Sequence, residues 1–129
     1  MMVRSNERMS ARVAAVEGLL AYAASKSRWS RRALESAHRA IVISSELAAA
    51  DPAAHTGLLV RSLRTAARLL LARNRAAEAL PLAQEAVALA RRVGEGHLIQ
   101  ALACLSAALA AEGRHAEAKA ALAEADLLA

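Results

Sequence analysis

The chain has 129 residues, and 57% of them are hydrophobic although only 2% are aromatic. Alanine (37 residues) and leucine (20 residues) supply most of this apolar content, and the shortage of β-branched and aromatic residues argues against a β-sandwich or barrel. Five Gly, two Pro and one Cys exclude collagen-like, disordered and disulfide-stapled classes. We therefore predict one all-α domain over residues 1–129, long enough to bury its own core.

Basic residues outnumber acidic ones by 17 to 12, which gives a net charge of +5 at pH 7, and 15 of the 17 cations are arginines. This balance favours acidic partners and keeps nucleic acid as the alternative. Proteins that bind single-stranded nucleic acid stack the bases on aromatic side chains, which this chain nearly lacks. Because Cys104 is the only cysteine, no intramolecular disulfide can form, and the expected compartment is the cytoplasm.

No signal peptide or membrane-spanning segment is expected. A basic N-terminus precedes an apolar stretch at 13–24, but Glu17 and Gly18 interrupt that stretch. The longest stretch without Asp, Glu, Lys or Arg covers residues 96–111, which is shorter than the roughly 20 apolar residues that a spanning helix needs. It therefore predicts a buried helix.

Breakers and capping residues divide the chain into six predicted helices. These residues are Ser27-Arg28, Asp51-Pro52, Asn74-Arg75, Gly94-Glu95-Gly96 and Gly113-Arg114. The helices are predicted near residues 10–26, 30–49, 53–73, 76–93, 96–112 and 115–128. Because the connections are short, neighbouring helices must form antiparallel hairpins. Pro81 should delay or kink the fourth helix, since it removes a backbone hydrogen bond.

The chain also repeats itself. Residues 74–79 realign with residues 113–118 at an offset of 39. This offset aligns Ala67 with Ser106, Leu70 with Leu109, Ala83 with Leu122, Ala86 with Ala125 and Leu89 with Leu128. An offset of 46, with a one-residue slip at the turn, places Ala21, Ala24, Ala33, Ala37, Ala40 and Ile43 in a first copy. Three helical hairpins are therefore predicted, near residues 10–49, 53–93 and 96–128.

The spacing of these residues resembles the tetratricopeptide repeat. Its features are a small residue within the first helix, a Gly or Asn turn, Glu-Ala at the start of the second helix and an Ala seven residues later. The second copy has Ala67, Asn74, Glu78-Ala79 and Ala86, and the third has Ser106, Gly113, Glu117-Ala118 and Ala125. The resemblance implies hairpins stacked into a short right-handed α-solenoid, because one hairpin cannot bury its apolar face alone.

Some features depart from the family. The period of 39 exceeds the usual length of about 34 residues and is similar to longer-helix variants in bacterial regulatory proteins. The first copy has Arg32 where the family prefers Glu, and Trp29 in place of the turn Gly. Trp29 and His115 hold equivalent turn positions, where the resemblance implies a large side chain packed between repeats.

Three arginines mark a candidate binding site. Arg61, Arg64 and Arg68 recur at helical spacing and therefore share one stripe of their helix. In the family's register this stripe lines the concave groove that binds ligands. The same register implies that the groove also contains Tyr22, Lys26 and Gln100. Guanidinium groups bind carboxylates bidentately, so the groove suits an acidic or C-terminal peptide, whereas the simpler interpretation is a solvated face.

No catalytic, cofactor-binding or metal site is predicted. The chain has no Gly-rich phosphate loop, serine elbow or paired carboxylates on one helical face. Glu78 and Glu117 fall in the first turns of their helices, where negative charge complements the helix dipole. His97 and Cys104 lie seven residues apart, but two ligands do not make a zinc site.

These patterns predict a non-enzymatic scaffold that binds an acidic protein or peptide segment. The alternative is a basic domain that binds nucleic acid or accompanies a transcription regulator, which a convex patch including Arg31, Arg32, Arg91 and Arg92 would favour. The third hairpin ends in an apolar sequence that includes Leu122, Leu127 and Leu128. We expect another surface to cover it, either a second copy related by a two-fold axis or further repeats of a longer protein.

Overall fold

The computed structural model describes residues 2–27 and 29–129, apart from the side chains of Met2, Val3 and Ser5. The predicted turn residue Arg28 lies outside the described residues. Six helices follow one another: α1 (Met2–Ser25), α2 (Arg31–Ala50), α3 (Pro52–Ala72), α4 (Ala76–Ala90), α5 (Glu95–Ala111) and α6 (His115–Leu128). They contain 87% of the described residues, among which there is no strand. The all-α prediction is confirmed.

Two helix ends differ from the prediction. The first helix begins at Met2 and not near residue 10, because no Gly or Pro interrupts the polar residues that precede its buried face. The fourth helix ends at Ala90, three residues early, where the amides of Arg92 and Val93 donate to carbonyls only three residues back. Pro81 does not delay this helix, which begins at Ala76 as predicted and contains the proline on an exposed position.

Side-chain caps begin the second and third helices. The Ser30 hydroxyl accepts a hydrogen bond from the Ala33 amide, and the Asp51 carboxylate accepts one from the Ala54 amide, each at 3.3 Å. Pro52 occupies the first position of α3, where its missing N–H costs nothing. The start predicted at Asp51-Pro52 is therefore present.

The turns of the second and third hairpins are copies of each other. Asn74 and Gly113 both adopt positive φ, 59° and 78°. The amides that follow, those of Arg75 and Arg114, each donate at 2.9 Å to the carbonyl five residues back. These are Schellman turns, which satisfy the last carbonyls of a helix and favour Gly or Asn at the positive-φ position. The repeat offset of 39 is thus present in the backbone as well as in the sequence.

Consecutive helices pack against each other, and the helices form two layers. The odd-numbered helices touch across the stack, α1 with α3 and α3 with α5. Within the described chain, no Cα atoms of α2 and α4, or of α4 and α6, come within 8 Å of each other. The odd-numbered helices are therefore closer together, which places their layer on the inner side of the stack.

Small residues lie where the helices of a hairpin cross. Ala33, Ala79 and Ala118 are all buried at the start of their second helices. At the third crossing the Ser106 hydroxyl donates a hydrogen bond of 2.8 Å to the Ala118 carbonyl. A serine hydroxyl can reach the backbone of the next helix only when the two helices approach closely, so the small residues permit this packing.

The alignment predicted for α1 is wrong by one residue. Ala21 and Ala24 are exposed, whereas Leu20 and Ala23 are buried. The buried residues Val16, Leu20 and Ala23 precede the buried Leu63, Ala67 and Leu70 of α3 by 47 residues, not 46. Alanines lie on several faces of α1, so residue type alone did not identify which face is buried. Alignment of α2 with α4 at 46 agrees with burial, since Ala33, Ala37 and Ala40 are all buried.

Candidate binding groove

Two neighbouring inner helices, α1 and α3, enclose a cavity of about 260 Å³, here called the α1–α3 groove. Its lining includes all three arginines of the predicted stripe. The residues of the groove are Glu17, Leu20, Ala21 and Ala24 on α1 and Arg61, Arg64, Thr65 and Arg68 on α3. The structure therefore brings the stripe together beside α1, with room for a ligand next to the cations.

One arginine of the stripe is already occupied. The Arg61 guanidinium donates two hydrogen bonds to the Glu17 carboxylate, of 2.7 and 2.9 Å. Hydrogen bonding to Arg61 holds the pKa of Glu17 below its ordinary value, and the same pair raises the pKa of Arg61. Both side chains are about half exposed, so the pair adds little to stability. Its effect on the groove is to neutralise the charge at that end.

The other two arginines are unpaired. Within the described chain, neither Arg64 nor Arg68 forms a hydrogen bond or an ion pair with another side chain. Burial lowers the pKa of Arg64, and repulsion from the nearby Arg68 lowers it further. The groove therefore holds two positive charges that repel each other and that an anionic ligand would stabilise.

The remaining predicted groove residues lie elsewhere. Tyr22 lines a different cavity, between α1 and α2, together with Arg32 and Arg39. Lys26 accompanies it, with Nζ 5.1 Å from the centroid of the Tyr22 ring. Both were assigned to the groove through the alignment of α1 that the burial pattern corrects.

The third helix of the inner layer contributes Gln100. Gln100 is exposed on α5 and follows Arg61 by 39 residues, so it is the equivalent residue of the next repeat. It does not line the α1–α3 groove.

Sequence reasoning missed Glu17, the acidic residue of the groove. At the corrected offset of 47 Glu17 is equivalent to Arg64, so a correct alignment of the first helix would have placed a carboxylate on the same side as the arginines. Its partner Arg61 lies one turn before Arg64 on that stripe, and the two side chains meet across the groove.

Cys104 lies behind the arginines and is buried. Burial raises the pKa of its thiol, although the charges of Arg64 and Arg68 act in the opposite direction. It shares an apolar cluster with Ala67, Leu70 and Ala108. Among the described residues no group of three or more His, Cys, Asp or Glu side chains is placed to hold a metal ion.

The turn residues do not pack as the family resemblance implies. Trp29 is 70% exposed, and His115 is exposed as well. The first turn, at residues 26–30, is longer than the turns at 73–75 and 112–114, and buried alanines lie at all three crossings.

Comparisons with known proteins add no family to this description. No helix within residues 2–27 and 29–129 has both the length and the apolar character to cross a bilayer. A scan against protein-family models, a search of curated proteins and a search of solved structures each find no match.

Proposed function

We propose that this protein is a tetratricopeptide-like interaction module that binds an acidic protein segment in the α1–α3 groove. The observation that carries the proposal is the pair Arg64 and Arg68, two unpaired cations in one groove, with Arg64 partly buried. Keeping two like charges together in a partly buried place is unfavourable unless an anion binds there. A carboxylate-rich peptide supplies that anion.

The backbone supports the tetratricopeptide-like part of the proposal. The second and third hairpins share their Schellman turns, their buried alanines and their ion pairs, Arg75 with Glu78 and Arg114 with Glu117. The inner layer of odd-numbered helices provides a continuous surface across three repeats. A surface of this kind suits an elongated peptide better than a small molecule.

The distribution of the other arginines argues against a nucleic-acid surface. Arg31 and Arg32 begin α2, whereas Arg91 and Arg92 follow the end of α4. Since α2 and α4 are both second helices of their hairpins, they run parallel, and the start of α2 and the end of α4 lie on opposite edges of the stack. Arg91 is also bonded bidentately to Glu124, at 2.6 and 2.9 Å. These four residues therefore form no single patch that could follow a phosphate backbone.

The proposal is tested by binding to an array of short peptides rich in Asp and Glu, with a double-stranded DNA oligonucleotide as competitor. Two charge-assisted hydrogen bonds of about 1.5–3 kcal/mol each imply that the double variant Arg64→Glu, Arg68→Glu loses at least a hundredfold in affinity, with helicity unchanged. Binding to the wild type should weaken with salt, because exposed charges are screened over about 8 Å at physiological ionic strength.

Arg31→Glu with Arg92→Glu is the matched control, since it makes the same change in charge at exposed residues outside the groove. An equal loss of affinity in this control would show that only net charge matters. Unchanged affinity in the groove variant would show that Arg64 and Arg68 are ordinary solvated surface residues. A preference for the DNA would favour the nucleic-acid alternative.

A further inference from the structure

A second and larger groove lies between α1 and α2, with a cavity of about 580 Å³, here called the α1–α2 groove. Its lining has an apolar or small part, here called the floor, and a polar part, here called the rim. The floor consists of Ala15, Gly18, Leu19 and Ile43, and the rim consists of Tyr22, Arg32, Glu35, Ser36 and Arg39. In the described chain no other helix covers this groove, since α1 contacts only α2 and α3.

The equivalent face of α3 is covered. Ser62 and Ala66 of α3 follow Ala15 and Leu19, which both line the groove, by the corrected offset of 47. The Ser62 hydroxyl lies 3.3 Å from the Ser44 hydroxyl of α2, and Ala66 packs in one cluster with Ala37 of α2. The wall of the α1–α2 groove is therefore the face that, one repeat later, packs against the second helix of the preceding hairpin.

The last helix presents the complementary face. Leu122 of α6 follows Ala83 of α4 by 39 residues, and Ala83 is buried in one cluster with Cys104 and Ala108 of α5. Leu122, in contrast, is 48% exposed. In the described chain α5 is the only helix with Cα atoms within 8 Å of those of α6, so the face with which α4 packs on α5 is uncovered on α6.

We propose that a second copy of this chain packs its α6 into the α1–α2 groove, head to tail, as α4 packs on α5 within one chain. Leu122 would cover Gly18, where a Cβ would meet no atom within 4 Å. This packing joins two faces that are both uncovered in one chain and that correspond to the two sides of an interface already present twice in the stack.

Charge supports the same occupant. The rim of the groove contains Arg32, Glu35 and Arg39, and the uncovered face of α6 contains Lys119 and Asp126. None of these five residues forms an ion pair within the described chain. Each side of the contact therefore offers both signs of charge to the other. Because the two faces differ, the proposed contact would be heterologous, and assembly should continue beyond a dimer as concentration rises.

The test is sedimentation velocity of the full chain over a wide range of concentration, starting from the monomer mass of 13.5 kDa. We expect the wild type to grow past the dimer. Gly18→Arg, which blocks the groove, and Leu122→Glu, which charges the α6 face, should each remain monomeric. Gly96→Arg is the matched control, because its Cβ also meets nothing within 4 Å but lies outside the groove, and it should assemble like the wild type.

Mixing the two blocked variants decides the geometry. Gly18→Arg keeps its α6 face and Leu122→Glu keeps its groove, so an equimolar mixture should form a dimer and nothing larger. If Gly18→Arg assembles like the wild type while Leu122→Glu does not, the contact is a symmetric one between C-terminal hairpins and the proposal is wrong. A wild type that stays monomeric at every concentration also overturns it, and circular dichroism confirms that each variant is folded.

Discussion

The crossing of α5 and α6 allows a quantitative test of the repeat packing at Ala118. This residue is 6% exposed, and its carbonyl accepts the Ser106 hydroxyl at 2.8 Å, so the two backbones are close. Its counterpart Ala79 in the second hairpin is 0% exposed and shares a cluster with Ala67. A leucine at either position adds three carbon atoms to a contact that has no room for them.

The expected cost differs between the two hairpins. Overpacking a buried position costs about 1–3 kcal/mol. Ala118→Leu should fall near the lower end, because α6 contacts only α5 in the described chain and can shift outward. Ala79→Leu should fall near the upper end, since α4 is held between α3 and α5. At about 3–5 °C per kcal/mol for a domain of this size, the Tm should drop by about 4 °C and by about 12 °C.

Thermal unfolding followed by circular dichroism measures both values. Ala120→Leu is the control, because residue 120 lies on the same helix but is exposed, and its Tm should change by no more than about 2 °C. An unchanged Tm for Ala79→Leu would refute the close approach of the helices. An equal loss in the control would show that leucine is unfavourable anywhere on these helices.

Three further predictions follow from single contacts. Gly113→Ala should cost about 1–2 kcal/mol in denaturant unfolding because of its positive φ, whereas Asn74→Gly should cost nothing or stabilise. The Cys104 thiol should react slowly with an alkylating reagent in the native protein and quickly in denaturant, because burial protects the thiol and raises its pKa. The Glu17–Arg61 pair lowers the folded-state pKa of Glu17, so its small stabilisation is present above the ordinary pKa of 4.5 and is lost as pH falls through the lowered value. Glu17→Gln should therefore flatten acid unfolding slightly: between pH 6 and pH 3, about one and a half units either side of that pKa, its urea midpoint should fall less than that of the wild type. An equal fall in both proteins would refute this.

Much of the fold was predictable because the information is local. Helix starts at Asp51 and turns at Asn74 and Gly113 are determined by a capping carboxylate and by tolerance of positive φ, which depend only on residue type. The repeat offset of 39 was visible because the two turns have nearly the same sequence. The three arginines share a groove because helical spacing alone places them on one stripe.

The first repeat was less predictable because its turn has a different sequence and length. Without a shared turn to anchor it, the alignment of α1 depended on alanines, and the exposed Ala21 and the buried Ala23 are the same residue type. The error moved the predicted groove of α1 onto Tyr22 and Lys26 and hid Glu17. Only the contacts of α1 with α2 and α3 distinguish the two alignments, and these are tertiary.

The corrected alignment also explains where the positive charge of the groove is concentrated. At the positions equivalent to Arg61, Arg64 and Arg68 of α3, helix α1 has Ala14, Glu17 and Ala21, and on α5 the residue equivalent to Arg61 is Gln100. The same offset of 39 places alanines, Ala103 and Ala107, at the α5 positions equivalent to Arg64 and Arg68. The unpaired cations therefore belong to the middle repeat alone, with a carboxylate on one side and uncharged residues on the other. A bound acidic segment should consequently place its carboxylates over α3 and its uncharged residues over α5, because Glu17 repels them from α1.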